Sequence, residues 1–287
     1  MIQTENLGFR YSPKEVLALS RINLTIEPGE YIALIGPNGC GKTTLVKHWN
    51  ALLTPSEGKV WVDRLDTADP SLQAEIRRRV GMVFQNPDHQ IVGMTVEEDV
   101  AFGPGNLELP SAEIQRRVDS SLATVGLNSY GQRPPHSLSG GEKRLVAIAG
   151  VLAMDPQYMI FDEPTSYLDP WSRGIVLRTI QGLNRQGMAV IHITHNMEEI
   201  LQAHRVVVLN QGQILFQGTP REVFQRTEWL KALHLDVPRI TELMEQLQKT
   251  GADVRTDILT VEEACSEISD FWKRPRPSLA RGNGEPR

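Results

Sequence analysis

Residues 31–45, YIALIGPNGCGKTTL, hold the densest chemistry in the chain. Gly36 and Gly41 are followed at once by Lys42, Thr43 and Thr44, behind an aliphatic strand-like run and ahead of a helix-forming one. Glycines there let the backbone through Pro37, Asn38, Gly39 and Cys40 curl until successive N–H groups point at phosphate oxygens. The helix that follows adds its positive end. In that frame Lys42 bridges the β- and γ-phosphates of a nucleotide, and the Thr43 hydroxyl serves Mg²⁺. A dinucleotide cradle does not fit, because Lys42-Thr43-Thr44 follows Gly39-Cys40-Gly41 where a third small residue should sit. Cys40 either fills the space of a small serine or, near a helix N-terminus, is a low-pKa thiol open to alkylation.

Farther along, Tyr158-Met159-Ile160-Phe161-Asp162-Glu163-Pro164 reads as a buried strand ending in two carboxylates. Adjacent strand residues point to opposite faces, so the two acids divide the work. Asp162 suits Mg²⁺ coordination, and Glu163 suits orienting or deprotonating an attacking water. His195 ends another apolar run and is placed to meet a γ-phosphate. His192 lies an odd offset away, so the two histidines face opposite ways and do not chelate one metal. Leu138-Ser139-Gly140-Gly141-Glu142 opens a helix over 143–153 and offers N–H groups for a second anion. One nucleotide has one γ-phosphate, so a second cradle points to a nucleotide held between two chains.

The elements that must position these residues alternate between strands and helices, which is the pattern of an α/β sheet. Strands are expected at Tyr31–Ile35, 80–84, 159–161, 189–194, 206–209 and 214–216. Several are almost continuously apolar, as strands of a parallel core covered on both faces should be. Leu24 and Ile26, ahead of the turn Glu27-Pro28-Gly29-Glu30, are expected to form an antiparallel edge. After Gly218-Thr219-Pro220, the residues Ile240, Leu243, Met244 and Leu247 lie on one helical face, either of a small appendage or of a dimer contact. From Phe271 onward five basic groups, one acid, three prolines and two glycines predict a disordered tail.

Length and charge narrow the function class. A chain of 287 residues allows one large domain and an appendage. A net charge of −5 argues against a phosphate-backbone binder, so no nucleic acid is expected as a partner. Two cysteines fit a reducing compartment rather than a zinc cluster or disulfide framework. No secretory signal is evident in MIQTENLGFRYS, and the longest apolar stretch, 145–154, is half a membrane span.

The order of these motifs resembles the nucleotide-binding subunits of ATP-binding-cassette (ABC) transporters over roughly residues 1–225. GPNGCGKT looks like the Walker A loop, Gln85 the Q-loop glutamine, LSGGE the signature, IFDEP the Walker B strand, Tyr167-Leu168-Asp169 the D-loop and His195 the switch histidine. Tyr11, in FRYSP, lies where that family stacks an aromatic on adenine; by itself it would read as a strand-edge tyrosine. The resemblance implies a P-loop NTPase fold: a mixed, mainly parallel sheet with an antiparallel edge, and a helical subdomain at about 86–155. It implies ATP and Mg²⁺, with Glu163, His195 and Gln85 catalytic and Thr43, Gln85 and Asp162 at the metal. It further implies a head-to-tail dimer with a second ATPase subunit, the same chain or a paralogue. Tyr11 and residues 36–44 of one subunit would then face Ser139, Gly140, Gly141 and Asp169 of the other across each ATP. Closure on ATP and reopening after hydrolysis would drive a membrane partner. Glu142, Leu145 and Tyr167 depart from the commonest pattern, the last two at the dimer contact.

The stretch after Gln85 is similar to that of the A components of energy-coupling-factor (ECF) transporters. Pro87-Asp88-His89-Gln90 matches the Pro-Asp-x-Gln turn that forms an extra helix beside the groove for the coupling helices. Asp88, Glu97, Glu98 and Asp99 form either a solvated acidic loop or a surface for arginines of a transmembrane T component. GTPREVF, Leu235-Asp236-Val237-Pro238 and Ile258-Leu259-Thr260-Val261-Glu262-Glu263 fit the same group, whose C-terminal extension, here 226–270, helps pair the ATPases. The resemblance implies an ATP hydrolase at the cytoplasmic face of the cell membrane, peripheral, working with a T component and a substrate-binding S component. It would energise uptake of a vitamin or transition-metal ion. A conventional ABC transporter with dedicated permeases is the alternative.

Overall fold

The computed structural model describes residues 1–274. The chain runs β1 (Ile2–Phe9), β2 (Leu19–Ile26), β3 (Tyr31–Ile35), α1 (Lys42–Trp49), β4 (Glu57–Val62), β5 (Leu65–Asp66), α2 (Gln73–Arg79) and β6 (Val80–Val83). It continues through α3 (Val96–Asn106), α4 (Ser111–Thr124), α5 (Gly140–Leu152), β7 (Tyr158–Asp162), α6 (Pro170–Arg185), β8 (Ala189–Ile193), β9 (Arg205–Asn210) and β10 (Gln213–Gly218). Four helices follow: α7 (Pro220–Phe224), α8 (Thr227–Ala232), α9 (Arg239–Lys249) and α10 (Val261–Lys273).

β9, β3, β8, β7 and β6 form a parallel sheet, and β10 adds an antiparallel edge beside β9. Strand pleating divides its side chains between two cores. Tyr31, Ala33 and Ile35 face the core built with α5 and α6, whereas Ile32 and Leu34 face the core beneath α1. Both faces are buried, so the runs are almost continuously apolar, His192 and Asp162 excepted. That requirement sends the carboxyl ends of β3, β7 and β8 to the same edge, and with them Gly36, Asp162 and His195.

The antiparallel strand expected at Leu24 and Ile26 is present, but it does not edge the parallel sheet. It belongs to a second, four-stranded sheet in the order β2-β1-β4-β5. β1 and β4 escape a pattern reading because Asn6 bulges at φ +47° and the register slips between Glu5 and Gly8. Polar residues therefore interrupt both strands.

Over the other core, α3 and α4 pack against α5. Three of the four acids after Gln85 make bonds within this layer, and only Asp99 leaves the surface. Asp99 is buried and accepts the amides of Val92 and Gly93 at 2.7 and 3.0 Å. Glu98 closes a capping box with Thr95 at the start of α3, and Glu97 accepts from Gln132 at 2.7 Å. Asp88 stays exposed, paired with Lys143 at 2.6 Å.

The C-terminal helices enclose a small core of Met244, Val254, Ile258 and Ala264. Ile240 and Leu247 pack against it, but Leu243 is 45 % exposed, so the helical face is narrower than its spacing suggests. Arg221 of α7 ties this core to the larger body through Asp257 and, at 2.6 Å, Glu263. A disordered tail was expected from Phe271, but α10 runs through Lys273, and Arg274 pairs with Asp253 and Glu267. The rest of that stretch lies outside the described residues.

Candidate active site

The phosphate cradle is set by steric limits at two glycines. A Cβ on Gly36 would stand 2.1 Å from the Leu209 carbonyl oxygen. Gly41 takes φ +107°, and a Cβ there would stand 2.9 Å from the Ala18 carbonyl oxygen. Gly41 caps α1 in a left-handed conformation with no side-chain cap, so the first amides of the helix stay open toward the loop. The Lys42 ammonium is buried and donates to the carbonyls of Gly36 (2.7 Å) and Pro37 (3.0 Å). Of the two readings of Cys40, the activated thiol fails. Its side chain is buried beneath the loop, and that burial pushes the thiol pKa up despite the nearby Lys42 charge.

Asp162 and Glu163 diverge as strand geometry requires, and a left-handed backbone at Glu163 (φ +48°) adds to the turn. The Thr43 hydroxyl donates to Asp162 Oδ2 at 2.9 Å. Burial raises the Asp162 pKa above the usual carboxylate value, with the Thr43 bond opposing it. Glu163 Oε2 accepts from Gln85 Nε2 (2.8 Å) and Ser166 Oγ (2.9 Å), and His195 Nδ1 stands 3.6 Å away. His195 is exposed, whereas His192 is fully buried against the Tyr31 hydroxyl at 2.9 Å. Desolvation pushes the His192 pKa down to about 3, so it is neutral.

Gly36, Gly41, Lys42, Thr43, Gln85, Asp162, Glu163, Ser166 and His195 line one cavity of about 1010 Å³, together with Tyr11, Asn38, Gly39, Thr44 and Arg173; Cys40, buried beneath the loop, does not. Tyr11 is 60 % exposed; its hydroxyl is 2.8 Å from Thr44 Oγ1 and its ring is edge-on to Phe9. Ser139, Gly140, Gly141 and Asp169 do not line it. Asp169 caps α6, accepting the amides of Trp171 and Ser172, and these Ser172 bonds hold its carboxyl below the usual range. Ser139 caps α5: its hydroxyl accepts the Glu142 amide and the Glu142 carboxylate accepts the Ser139 amide at 2.7 Å. Two of the amides offered to a second anion are thus already taken. Gly141 is set by packing, since its Cβ would meet Ser172 Oγ at 2.5 Å.

Besides Ser166 and Arg173, other contributors were given no site role by the sequence. Arg144 is buried and donates to the carbonyls of Phe84 and Gln85; desolvation lowers its pKa to about 10. Its only signal was a charge at the head of an apolar helical run, where Leu145, itself in the core, took the attention. His234, Leu235 and Asp236 also line the cavity. Leu235 and Val237 sink into the main core and turn the residues between and before them outward.

Among the described residues no group of three His, Cys, Asp or Glu side chains is arranged to hold a metal. The hard oxygen pair Thr43 Oγ1 and Asp162 Oδ2 nonetheless suits Mg²⁺, which retains waters and takes further ligands from phosphates.

The sequence pattern of the family described as ABC transporter matches residues 19–166. The chain belongs to that family. Within this ABC family it is 57 % identical, over 98 % of its length and all of the relative's, to the cobalt import ATP-binding protein CbiO of Syntrophus aciditrophicus. It is 51 % identical, over 93 % of this chain and 98 % of the relative, to the energy-coupling factor transporter ATP-binding protein EcfA1 of Caldanaerobacter subterraneus. Among solved structures, cbiO1 from Clostridium perfringens, part of the ABC transporter complex cbiONQ, superposes with a TM-score of 0.74 at 37 % identity, covering 85 % of this chain and 98 % of that one. The cassette MJ0796, solved as a dimer, gives 0.69 at 29 % identity, covering 77 % and 99 %. The chain is an ATP-hydrolysing ABC subunit of the ECF type, which energises uptake. No helix among the described residues is long and apolar enough to cross a membrane.

Proposed function

We propose that ATP occupies the cavity beside Gly36–Thr44 and is hydrolysed there to ADP and phosphate, with Glu163 as the base that receives a proton from the attacking water. The observation that carries this reading is the Glu163 carboxylate, held by Gln85 and Ser166 on the wall of the cavity that Lys42 also lines. Lys42 would leave the Gly36 and Pro37 carbonyls for phosphate oxygens. Tyr11 supplies an exposed aromatic face for adenine, and His195 a donor beside the γ-phosphate. Thr43 and Asp162, with Gln85, would hold Mg²⁺, which when bound neutralises charge on the transferred phosphoryl group.

Ser139, Gly140, Gly141 and Asp169 act in this reading on the ATP of a second ATPase subunit; their absence from the cavity wall of their own chain supports it. We assign residues 1–225 to the cassette, with a helical subdomain at about 86–155, and 226–270 to an extension that assists pairing. The assembly works peripherally at the cytoplasmic face of the membrane with a transmembrane T component and an S component that selects the cargo. That cargo is a vitamin or transition-metal ion, and the CbiO relative favours the ion.

Glu163→Gln tests the reading. The variant should bind ATP normally and lose ~10²-fold or more in phosphate release. Normal hydrolysis would remove Glu163 from the mechanism.

A further inference from the structure

Behind the loops that carry Glu163 and His195 lies a buried carboxylate. Glu199, in the single turn Met197–Ile200, is 4 % exposed. Its Oε1 accepts from the Thr165 hydroxyl at 2.7 Å, and its Oε2 from the Thr194 hydroxyl at 2.9 Å. Thr165 follows Glu163 by two residues, and Thr194 directly precedes His195. Thr194 Oγ1 also accepts the Asn196 amide at 3.0 Å, so one hydroxyl is bonded on both sides of the histidine. The backbone adds a parallel tie, because the Glu163 amide donates to the Ile193 carbonyl at 2.9 Å.

A carboxylate this deep is destabilising unless hydrogen-bonded and offset by a cation. The nearby His192, at 3.6 Å, is neutral and supplies no charge. The cation is Arg173 of α6, whose Nε lies 3.7 Å from Oε1. An apolar side chain would fill this space at lower desolvation cost, but it would leave two buried hydroxyls without their acceptor. The two oxygens reach two different loops, and each loop carries one group of the hydrolytic site.

We propose that Glu199 is a positioning residue for hydrolysis: its carboxylate bridges Thr165 and Thr194 and thereby fixes Glu163 and His195 relative to each other. This rests on the assignment of Glu163 above. Glu199 edges the same cavity, but both of its oxygens are taken by the threonine hydroxyls, and it acts through them. Small displacements of a reacting group are costly in rate, with ~10²-fold losses for shifts of about 1 Å.

The test uses the full-length chain with the partners that co-purify with it, measuring phosphate release and ATP affinity. Glu199→Gln replaces one acceptor by a donor and should lower kcat by about tenfold or more while ATP affinity changes less than about twofold. Thr165→Val and Thr194→Val should each lower kcat in the same way. In the chain carrying both valines, adding Glu199→Gln should change kcat little further, because the bridge is already gone. Wild-type kcat in Glu199→Gln, or a full additional loss in the triple variant, overturns the proposal. If Glu199→Gln does not fold, the two threonine variants decide, and unchanged kcat in both overturns it. Glu163→Gln, run in the same assay, separates the readings: if it hydrolyses normally the base assignment falls, and if it is inactive while Glu199→Gln is normal only the positioning role falls.

Discussion

Two helices begin where an anion could bind, and they begin in opposite ways. α1 starts behind Gly41 with no side-chain cap, whereas α5 starts behind Ser139 with both halves of a capping box made. Glycine at a cap forgoes only about a few tenths of a kcal/mol relative to serine. α1 accepts that small loss and keeps its amides open. α5 is satisfied alone, and any oxygen that approaches Ser139 must compete with the Glu142 carboxylate. Sequence-level likeness between two glycine-rich helix starts thus conceals a difference in readiness.

Gly41→Ala should have the largest effect. A Cβ in that left-handed position costs about 1–3 kcal/mol and pushes the loop toward Ala18, so nucleotide titration should show affinity lost by more than about tenfold. Retained affinity would mean that the open start of α1 is dispensable. Ser139→Ala should remove about 1 kcal/mol in urea unfolding and leave the nucleotide affinity of the isolated chain unchanged. Lost affinity there would erase the difference between the two starts by placing Ser139 in its own chain's site.

Glu142→Gln should have the smallest effect, because an amide oxygen can accept the same Ser139 bond. Its signature is in pH. The Ser139 amide, and after it the Tyr130 hydroxyl, hold the Glu142 carboxyl below its usual value. A depressed folded-state pKa gives stability that is present above the unfolded value of ~4.3 and lost as pH falls from there through the folded value. The wild type should therefore exceed Glu142→Gln in urea midpoint near pH 7, and the gap should close in that acid window. A gap independent of pH would show that the charge of Glu142 does not hold the box.

The parallel sheet was legible because strands buried on both faces are nearly continuous in apolar residues, as β3, β7 and β8 are apart from Asp162 and His192. Of the second sheet only β2 was legible, since Glu5-Asn6 and Glu57-Gly58-Lys59 break the apolar pattern of β1 and β4. Glu163 and His195 were named by type and position, Gln85 only through the family resemblance and Ser166 not at all, because which atom binds which depends on strands distant in sequence. The acids after Gln85 show the limit. Their clustering was visible, but the Val92 and Gly93 amides that engage Asp99 and the Lys143 partner of Asp88 appear only on folding. Arg144 and the 234–236 loop carried almost no local signal, because their partners come from other elements.

The buried Arg144 fork has a mechanical consequence. It sits on α5, a little over one turn beyond Ser139, and grips the carbonyls of Phe84 and Gln85. Axial sliding of that helix would drag the strand end from which the Gln85 side chain reaches toward Glu163. One buried side chain thus ties the helix that Ser139 caps to the backbone that carries Gln85.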